Sequence, residues 1–297
     1  MRMTTMHEPS WHEPWTGEDA RSRATGHHPR RLIARIASGV FLGLVSLGAT
    51  FAGSYAFAGL VAVMAIMMAW EWGGIVRSRR YDFGFLLHAA AIVVCIALAA
   101  IGRSQLALVA LGVAAIAMAA TYGRQNGLMS AAGLFYIGIP AISLVWLRND
   151  VPYGFTAILL IFSVVWAADT AAYVGGKTVG GVKFWPSISP NKTWAGTCSA
   201  LVASALVGAI FSFLLTGAPS LYLIICTTVL GLVALAGDLA ESAFKRVYRL
   251  KDASNLIPGH GGFMDRLDGI AAAAAFAALI CLLMDINQPA KALLFGA

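Results

Sequence analysis

Charge is scarce in this sequence. Only 12% of its 297 residues are Asp, Glu, Lys or Arg, against about 25% in an ordinary soluble domain. Hydrophobic residues make up 59% and the mean hydropathy is +0.76, which excludes a water-soluble globular fold and points to an integral membrane protein. Cysteine is also scarce. Cys95, Cys198, Cys226 and Cys281 lie in or beside apolar segments and form no CxxC pair, which excludes a disulfide framework and a thiolate zinc site; they read as small core residues. A Walker phosphate loop is missing as well. GGKTVGG (175–181) comes near it, but the motif needs a glycine at position 171, where Ala171 stands in an apolar helical run. No internal repeat is evident. Residues 1–31 are the polar exception and hold four of the six histidines. They lack the apolar centre and small-residue cleavage site of a signal peptide, and read as a mobile cytoplasmic tail.

What the chain does have is long apolar runs. A helix needs about 20 apolar residues to cross roughly 30 Å of hydrocarbon, and such runs fall near 32–49, 51–70, 83–102, 105–121, 128–147, 154–174, 197–216, 219–238 and 267–285. The expected fold is an all-α polytopic membrane protein of about nine transmembrane helices. Abundant Ala, Gly and Ser would let helix backbones approach closely in lipid. Basic residues then set the orientation. With the N-terminus cytoplasmic and the C-terminus outside, 18 of the 21 Lys and Arg fall inside, and only Arg103, Arg148 and Lys291 fall outside. The expected organisation is a tail at 1–31, an N-terminal transmembrane bundle at 32–150 and a C-terminal catalytic region at 151–297. Its two long cytoplasmic loops are 175–196 and 239–266.

Acidic residues concentrate beside those loops. Asp169 lies within the sixth run, Asp238 closes the eighth, and Asp265 and Asp268 open the ninth. A carboxylate at membrane depth costs about 2.5–3.5 kcal/mol on insertion scales, so several at one surface call for a purpose. Asp265 and Asp268, three apart, share one helix face, where the helix dipole favours negative charge. Either alone could be an N-cap; capping does not account for both together with Asp238 and Asp169. Hard divalent cations take oxygen ligands, and Mg²⁺ commonly takes one or two carboxylates with substrate phosphates.

Basic and glycine-rich segments adjoin these acids. SAFKRVYRLKD (242–252) brings Lys245, Arg246, Arg249 and Lys251 to the membrane surface, where they also serve as an anchor on anionic lipid. FWPSISPNKTWAG carries Ser187, Ser189, Asn191, Lys192 and Thr193, groups able to hold phosphate oxygens, with lysine as a point charge. In PGHGG, Gly259, Gly261 and Gly262 permit close backbone approach or positive φ, and Pro258 stiffens the entry. His260 has little to pack against between glycines, which favours a ligand or phosphate contact, because irregular backbone at membrane depth lines a cavity.

Together these residues resemble the phosphatidate cytidylyltransferases, or CDP-diacylglycerol synthases. That family's signature runs Ser, two residues, Lys-Arg, four residues and Lys-Asp. A short spacer then leads to His-Gly-Gly, an apolar residue, one more residue and Asp-Arg-x-Asp. Ser242, Lys245, Arg246, Lys251, Asp252, His260, Gly261, Gly262, Phe263, Asp265, Arg266 and Asp268 match it at every fixed position. The likeness extends upstream to Asp169 with Ala172-Tyr173, to Ser189-Pro190-Asn191-Lys192-Thr193-Trp194, and to Gly237-Asp238 with Glu241. It covers the C-terminal half, and it departs at Ala195, where the family usually has Glu.

The resemblance implies attack of phosphatidate on the α-phosphorus of CTP with release of pyrophosphate. By analogy Asp238, Asp265 and Asp268 hold Mg²⁺, with room for a second cation, and Lys192 and His260 join them as catalytic groups. Ser189, Asn191, Lys192, Thr193, Gly261, Gly262, Asp169 and Tyr173 are expected on CTP or its phosphates, and Lys245, Arg246, Lys251 and Arg266 on phosphatidate. Membrane lipid is the expected surroundings and no nucleic-acid partner is expected. The chain length, span pattern and lack of an organelle-targeting signal fit a bacterial inner membrane. The basic-residue bias puts the site on its cytoplasmic face, and a homodimer is the default because two-fold assemblies are the commonest. A CTP-dependent membrane lipid kinase is the alternative, separated by its product: CDP instead of pyrophosphate. The motif of the CDP-alcohol phosphatidyltransferases breaks down after Asp268-Gly269. A transporter would put acids near the bilayer centre within repeated broken helices.

Overall fold

The computed structural model describes residues 29–122, 124–254 and 261–296. Ten helices and one small hairpin follow in order: α1 (Pro29–Ala52), α2 (Ser54–Val76), α3 (Phe83–Ala100), α4 (Ser104–Thr121), α5 (Arg124–Arg148), α6 (Gly154–Thr178), β1 (Lys183–Trp185), β2 (Ser189–Thr193), α7 (Trp194–Thr216), α8 (Leu221–Val247), α9 (Met264–Met284) and α10 (Pro289–Phe295). The protein is an all-α polytopic membrane protein. Among the described residues eight helices, α2 to α9, are long and apolar enough to cross a membrane. The first expected span falls on α1, whose residues Ser38–Ala52 form a shorter apolar stretch. Residues 1–28 of the expected tail lie outside the described residues.

Helix boundaries follow local chemistry. Asp82 caps α3 by accepting the Phe85 N–H at 2.8 Å, and Ser220 and Thr193 cap α8 and α7 in the same way. Such caps take up backbone donors that the first turn leaves orphaned. Gly217, at φ 74°, closes α7 in the left-handed conformation that glycine adopts without steric cost.

The described parts of both expected loops carry more regular structure than the apolar pattern predicts. Between 175 and 196, α6 runs on to Thr178, and β1 and β2 pair antiparallel with Lys183 opposite Thr193 and Trp185 opposite Ser189. The hairpin is too short, and too interrupted by Pro186 and Pro190, to show an alternating pattern. Phe184 closes it edge-on against Trp194, their rings 4.6 Å apart. Between 239 and 266, α8 continues nine residues past the predicted end of its span at 238 and stops at Val247. Polar residues there satisfy their backbone within the helix and leave the hydrocarbon lengthwise, so hydropathy misplaces the helix end.

One buried core runs from Phe57 in α2 to Leu294 in α10 and includes residues of α3, α5, α6, α8 and α9. Trp72 carries the link between the chain halves. Its ring stacks on Phe244 of α8 at 4.3 Å and 10°, and on Tyr136 of α5 at 5.5 Å, while its Nε1–H donates to the Met129 carbonyl at 2.9 Å. Helices α8 and α9 approach closely through Gly237, where a Cβ would stand 2.5 Å from Ala272 Cβ and 2.9 Å from the Asp268 carbonyl. Outward-facing Leu206, Ile210, Phe213 and Leu214 on α7 form an apolar surface suited to lipid.

Candidate active site

The final turns of α8 and the first turn of α9 meet at one end of the bundle, beside the hairpin. Asp238, Glu241, Ser242 and Lys245 recur at three- and four-residue spacing along α8 and so occupy one side of it. Asp265 and Asp268 stand at the same spacing on α9.

Two ion-paired groups result. In the first, Lys192 of β2 places its Nζ 2.6 Å from Asp238 Oδ2 and donates to the Leu235 carbonyl at 3.4 Å. The Ser242 hydroxyl donates to Asp238 Oδ1 at 3.4 Å. Asp238 is half-buried, its side chain 40% exposed, so a substrate can reach it. In the second group the buried Lys245 ammonium lies 2.6 Å from Glu241 Oε2 and also donates to Asp265 Oδ1. Asp265 Oδ2 accepts the N–H groups of Gly262 at 2.8 Å and Ala253 at 3.2 Å. Between the groups, buried Asp268 accepts the Gly269 N–H at 2.8 Å. It lies within electrostatic range of Asp238, Asp169 and Lys245, and Asp169 on α6 lies within range of Asp238, Lys192 and Arg266. Five carboxylates therefore face a few cations at one end of the bundle.

Several expected residues take other positions. Lys245, expected on phosphatidate, is sequestered between two carboxylates, because burial leaves its charge no other compensation. Thr193 is buried and its hydroxyl accepts the Gly196 N–H at 3.1 Å, so it caps α7. Arg246 is exposed and donates to the carbonyls of Leu250 at 3.0 Å and Ile188 at 3.5 Å. Tyr173, Asn191, Lys251 and Arg266 are exposed, and Ser189 is half-buried within β2. Gly261 adopts φ +82°, and an added Cβ would meet Asp265 Oδ2 at 2.8 Å; both constraints demand glycine. His260 lies outside the described residues, as do Pro258 and Gly259.

Three side chains from the N-terminal half complete the surroundings, and the sequence reading passes over all of them. Glu71 of α2 is fully buried and accepts N–H groups from Phe263 at 2.9 Å and Met264 at 2.7 Å. Trp72 stacks on Phe244 as described. The buried Tyr136 hydroxyl lies within electrostatic range of Asp268, Glu241, Asp265 and Asp238, and has no hydrogen-bond partner among the described residues. The available signal was a lone acid between Trp70 and Trp72 at the end of an apolar run.

Among the described residues no three His, Cys, Asp or Glu side chains converge closely enough to hold a metal ion as they stand. The donor set nevertheless suits a hard cation. It consists of carboxylate oxygens without thiolate or imidazole, and a cation, the Lys192 ammonium, already sits against Asp238.

A family model described as the cytidylyltransferase family matches residues 33–284. The chain belongs to this family. It is 38% identical over 246 residues to a protein named phosphatidate cytidylyltransferase from Brucella suis biovar 1 (strain 1330), covering 82% of this chain and 91% of the relative. Identity is 41% over 149 residues to a protein of the same name from Rickettsia bellii (strain RML369-C), covering 46% of this chain and 62% of the relative. It is 41% over 134 residues to another from Bacillus subtilis (strain 168), covering 45% and 50%. For this cytidylyltransferase-family chain, the first of these matches spans both halves, so the likeness is wider than the C-terminal motif that suggested it.

Proposed function

We propose that this chain is a phosphatidate cytidylyltransferase, which joins CTP and phosphatidate to give CDP-diacylglycerol and pyrophosphate. The observation that carries the proposal is the meeting of the α8 and α9 acids with Lys192 and Lys245, within a chain that shares 38% identity with a phosphatidate cytidylyltransferase over 82% of its length. In the reaction, a phosphatidate phosphate oxygen bonds to the α-phosphorus of CTP as the bond from that phosphorus to the bridging oxygen breaks. Pyrophosphate departs with the electron pair. The nucleophile is already an anion at neutral pH, so no general base is required, and positioning and charge neutralisation are the main tasks.

Lys192, already poised between the hairpin and α8, would hold the triphosphate and follow the leaving pyrophosphate, aided by Ser189 and Asn191. Arg246, Lys251 and Arg266 would draw the lipid phosphate to the surface. Lys245 would exchange one of its two carboxylates for that phosphate, and Asp265 would then be free to join Asp238 and Asp268. Those three aspartates are the residues proposed to hold Mg²⁺, which when bound would offset the phosphates' negative charge. Gly261 would admit phosphate close to the backbone, with His260 as a further contact; Gly262, expected beside it, instead gives its N–H to Asp265 and its open side to Glu71. Asp169 and Tyr173 would border the nucleotide side. A second cation beside the first, a homodimer, an inner-membrane location and a site on the cytoplasmic face belong to the same reading; the bias of basic residues toward one side supports the last.

The test is an assay of purified protein in detergent with phosphatidate, radiolabelled CTP and Mg²⁺. The expected result is label in the lipid fraction with matching pyrophosphate. Release of CDP with a phosphorylated lipid would replace this reading with that of a lipid kinase.

A further inference from the structure

Helix α9 carries two of the proposed metal ligands in its first turns, yet it does not cap itself. Its N-cap residue, Phe263, has helical dihedrals (φ −67°, ψ −38°) and makes no side-chain cap bond. Orphaned N–H groups at a buried helix start must find acceptors elsewhere. They find them 192 positions back in the sequence: Glu71 Oε1 accepts the Phe263 N–H, and Oε2 accepts the Met264 N–H. The Ser254 hydroxyl donates to the same carboxylate. Glu71 thus fastens α2, the segment at Ser254 and the start of α9 to one point. Among the described residues it makes no ion pair; its charge is held by these donors and by the positive end of α9.

A negative group from outside the helix also changes what α9's own acids must do. Asp265 sits in the first turn, where a carboxylate would otherwise be drawn onto the free N–H groups, and Asp268 follows one turn on. With Glu71 in that place, Asp265 is left to Lys245 and to the backbone of Gly262 and Ala253, and Asp268 to Gly269. The second glycine of the HGG motif is explained by the same contact. A Cβ on Gly262 would stand 2.6 and 2.8 Å from the two Glu71 oxygens, closer than real Cβ atoms come.

We propose that Glu71 is a positioning residue for nucleotidyl transfer: it fixes the start of α9, and so the placement of Asp265 and Asp268, without touching substrate. The inference rests on the site described under Proposed function and adds a residue from the opposite half of the chain. Its effect should fall on turnover and on metal use more than on substrate binding.

The test uses the full-length protein in detergent, with phosphatidate, CTP and Mg²⁺ varied in turn, and with rates expressed per folded molecule from size exclusion. Glu71→Gln is expected to lower kcat about 10- to 100-fold, the scale on which misplacing reacting groups acts. The Mg²⁺ needed for half-activation should rise at least about threefold, while KM for each substrate stays within about threefold. Gly262→Ala, which pushes the carboxylate aside without removing it, should give the same pattern and carries the test if Glu71→Gln does not accumulate. In a Glu71→Ala background the added methyl has room, so Gly262→Ala should cost less than about twofold, a non-additivity that marks direct contact. A Glu71→Gln enzyme with kcat within about twofold of the parent and unchanged Mg²⁺ activation overturns the proposal. A loss explained entirely by less folded protein does the same. Asp268→Asn separates the two readings. If that variant is active, the site itself is wrong; if it is inactive while Glu71→Gln is unaffected, only the positioning role falls.

Discussion

Lys192 and Asp238 illustrate how a single contact can serve two states. At 2.6 Å, with both side chains partly open to solvent, the pair contributes little net stability, since exposed ion pairs are worth about 0–1 kcal/mol. Each partner can therefore be drawn to substrate at small cost. Lys192→Ala is expected to lower kcat/KM for CTP by about 10²-fold or more, as loss of a charge-stabilising donor does elsewhere, with thermal stability shifted by only a few degrees; steady-state kinetics and a melting curve check both. Asp268 is buried, and Asp268→Asn should abolish turnover while the protein still accumulates in the membrane, because the amide keeps the shape and loses the charge. Away from this site, Asp82 offers a pH-dependent case. Burial by itself would raise its carboxyl, but the Arg77 guanidinium at 2.8 and 3.2 Å, the Phe85 N–H and the Tyr122 hydroxyl outweigh it and hold the group below the ordinary carboxylate range. A depressed folded-state pKa gives stability that is complete above the unfolded value of about 3.9 and is lost as pH falls through the folded value. Asp82→Asn should therefore melt below the parent at pH 7, and the gap should close in acid below about pH 4.

At the scale of elements, the hairpin and the extended end of α8 act as a bracket around the site. Thr193 ends β2, begins α7 and caps it, so Lys192 is held one residue from a fixed helix start. Thr193→Ala removes the cap and should cost about 1 kcal/mol; the matching loss of activity should appear in KM for CTP, read from initial rates. The PNKT stretch stood out in the sequence, because its residue types are unusual beside a membrane span. Its strand pairing does not show in the sequence, since strands of three and five residues, the second containing Pro190, carry no alternation. Asp265 and Asp268 were legible for a different reason: the whole constellation from Ser242 to Asp268 is linear, so spacing alone put both acids on one helix face. Lys245 shows where spacing stops. Its place in the motif suggested a surface phosphate contact, whereas its burial between Glu241 and Asp265 depends on how α8 lies against α9, and Gly237 sets that approach.

Across the whole molecule residues of both halves share one core, so the proposed site in the C-terminal half depends on the N-terminal half for its placement. A chain beginning at residue 151 would lack Glu71, Trp72 and Tyr136, and is expected to show no transferase activity even where it inserts into membranes. Orientation is testable at the same scale. With the N-terminus inside, Lys183→Cys in β1 should react with an impermeant maleimide only after cells are opened, whereas Lys291→Cys in α10 should react in intact cells; the reverse pattern would invert the topology. The sequence by itself determined that the chain lives in a membrane, roughly where its helices run and which linear motif bears the carboxylates, because hydropathy, helical spacing and basic-residue bias are local properties. Only the tertiary structure decided which carboxylate meets which cation, and that a glutamate in α2 caps the helix carrying Asp265 and Asp268. Those contacts join residues as much as 193 positions apart, and no local pattern encodes a distance across folded space.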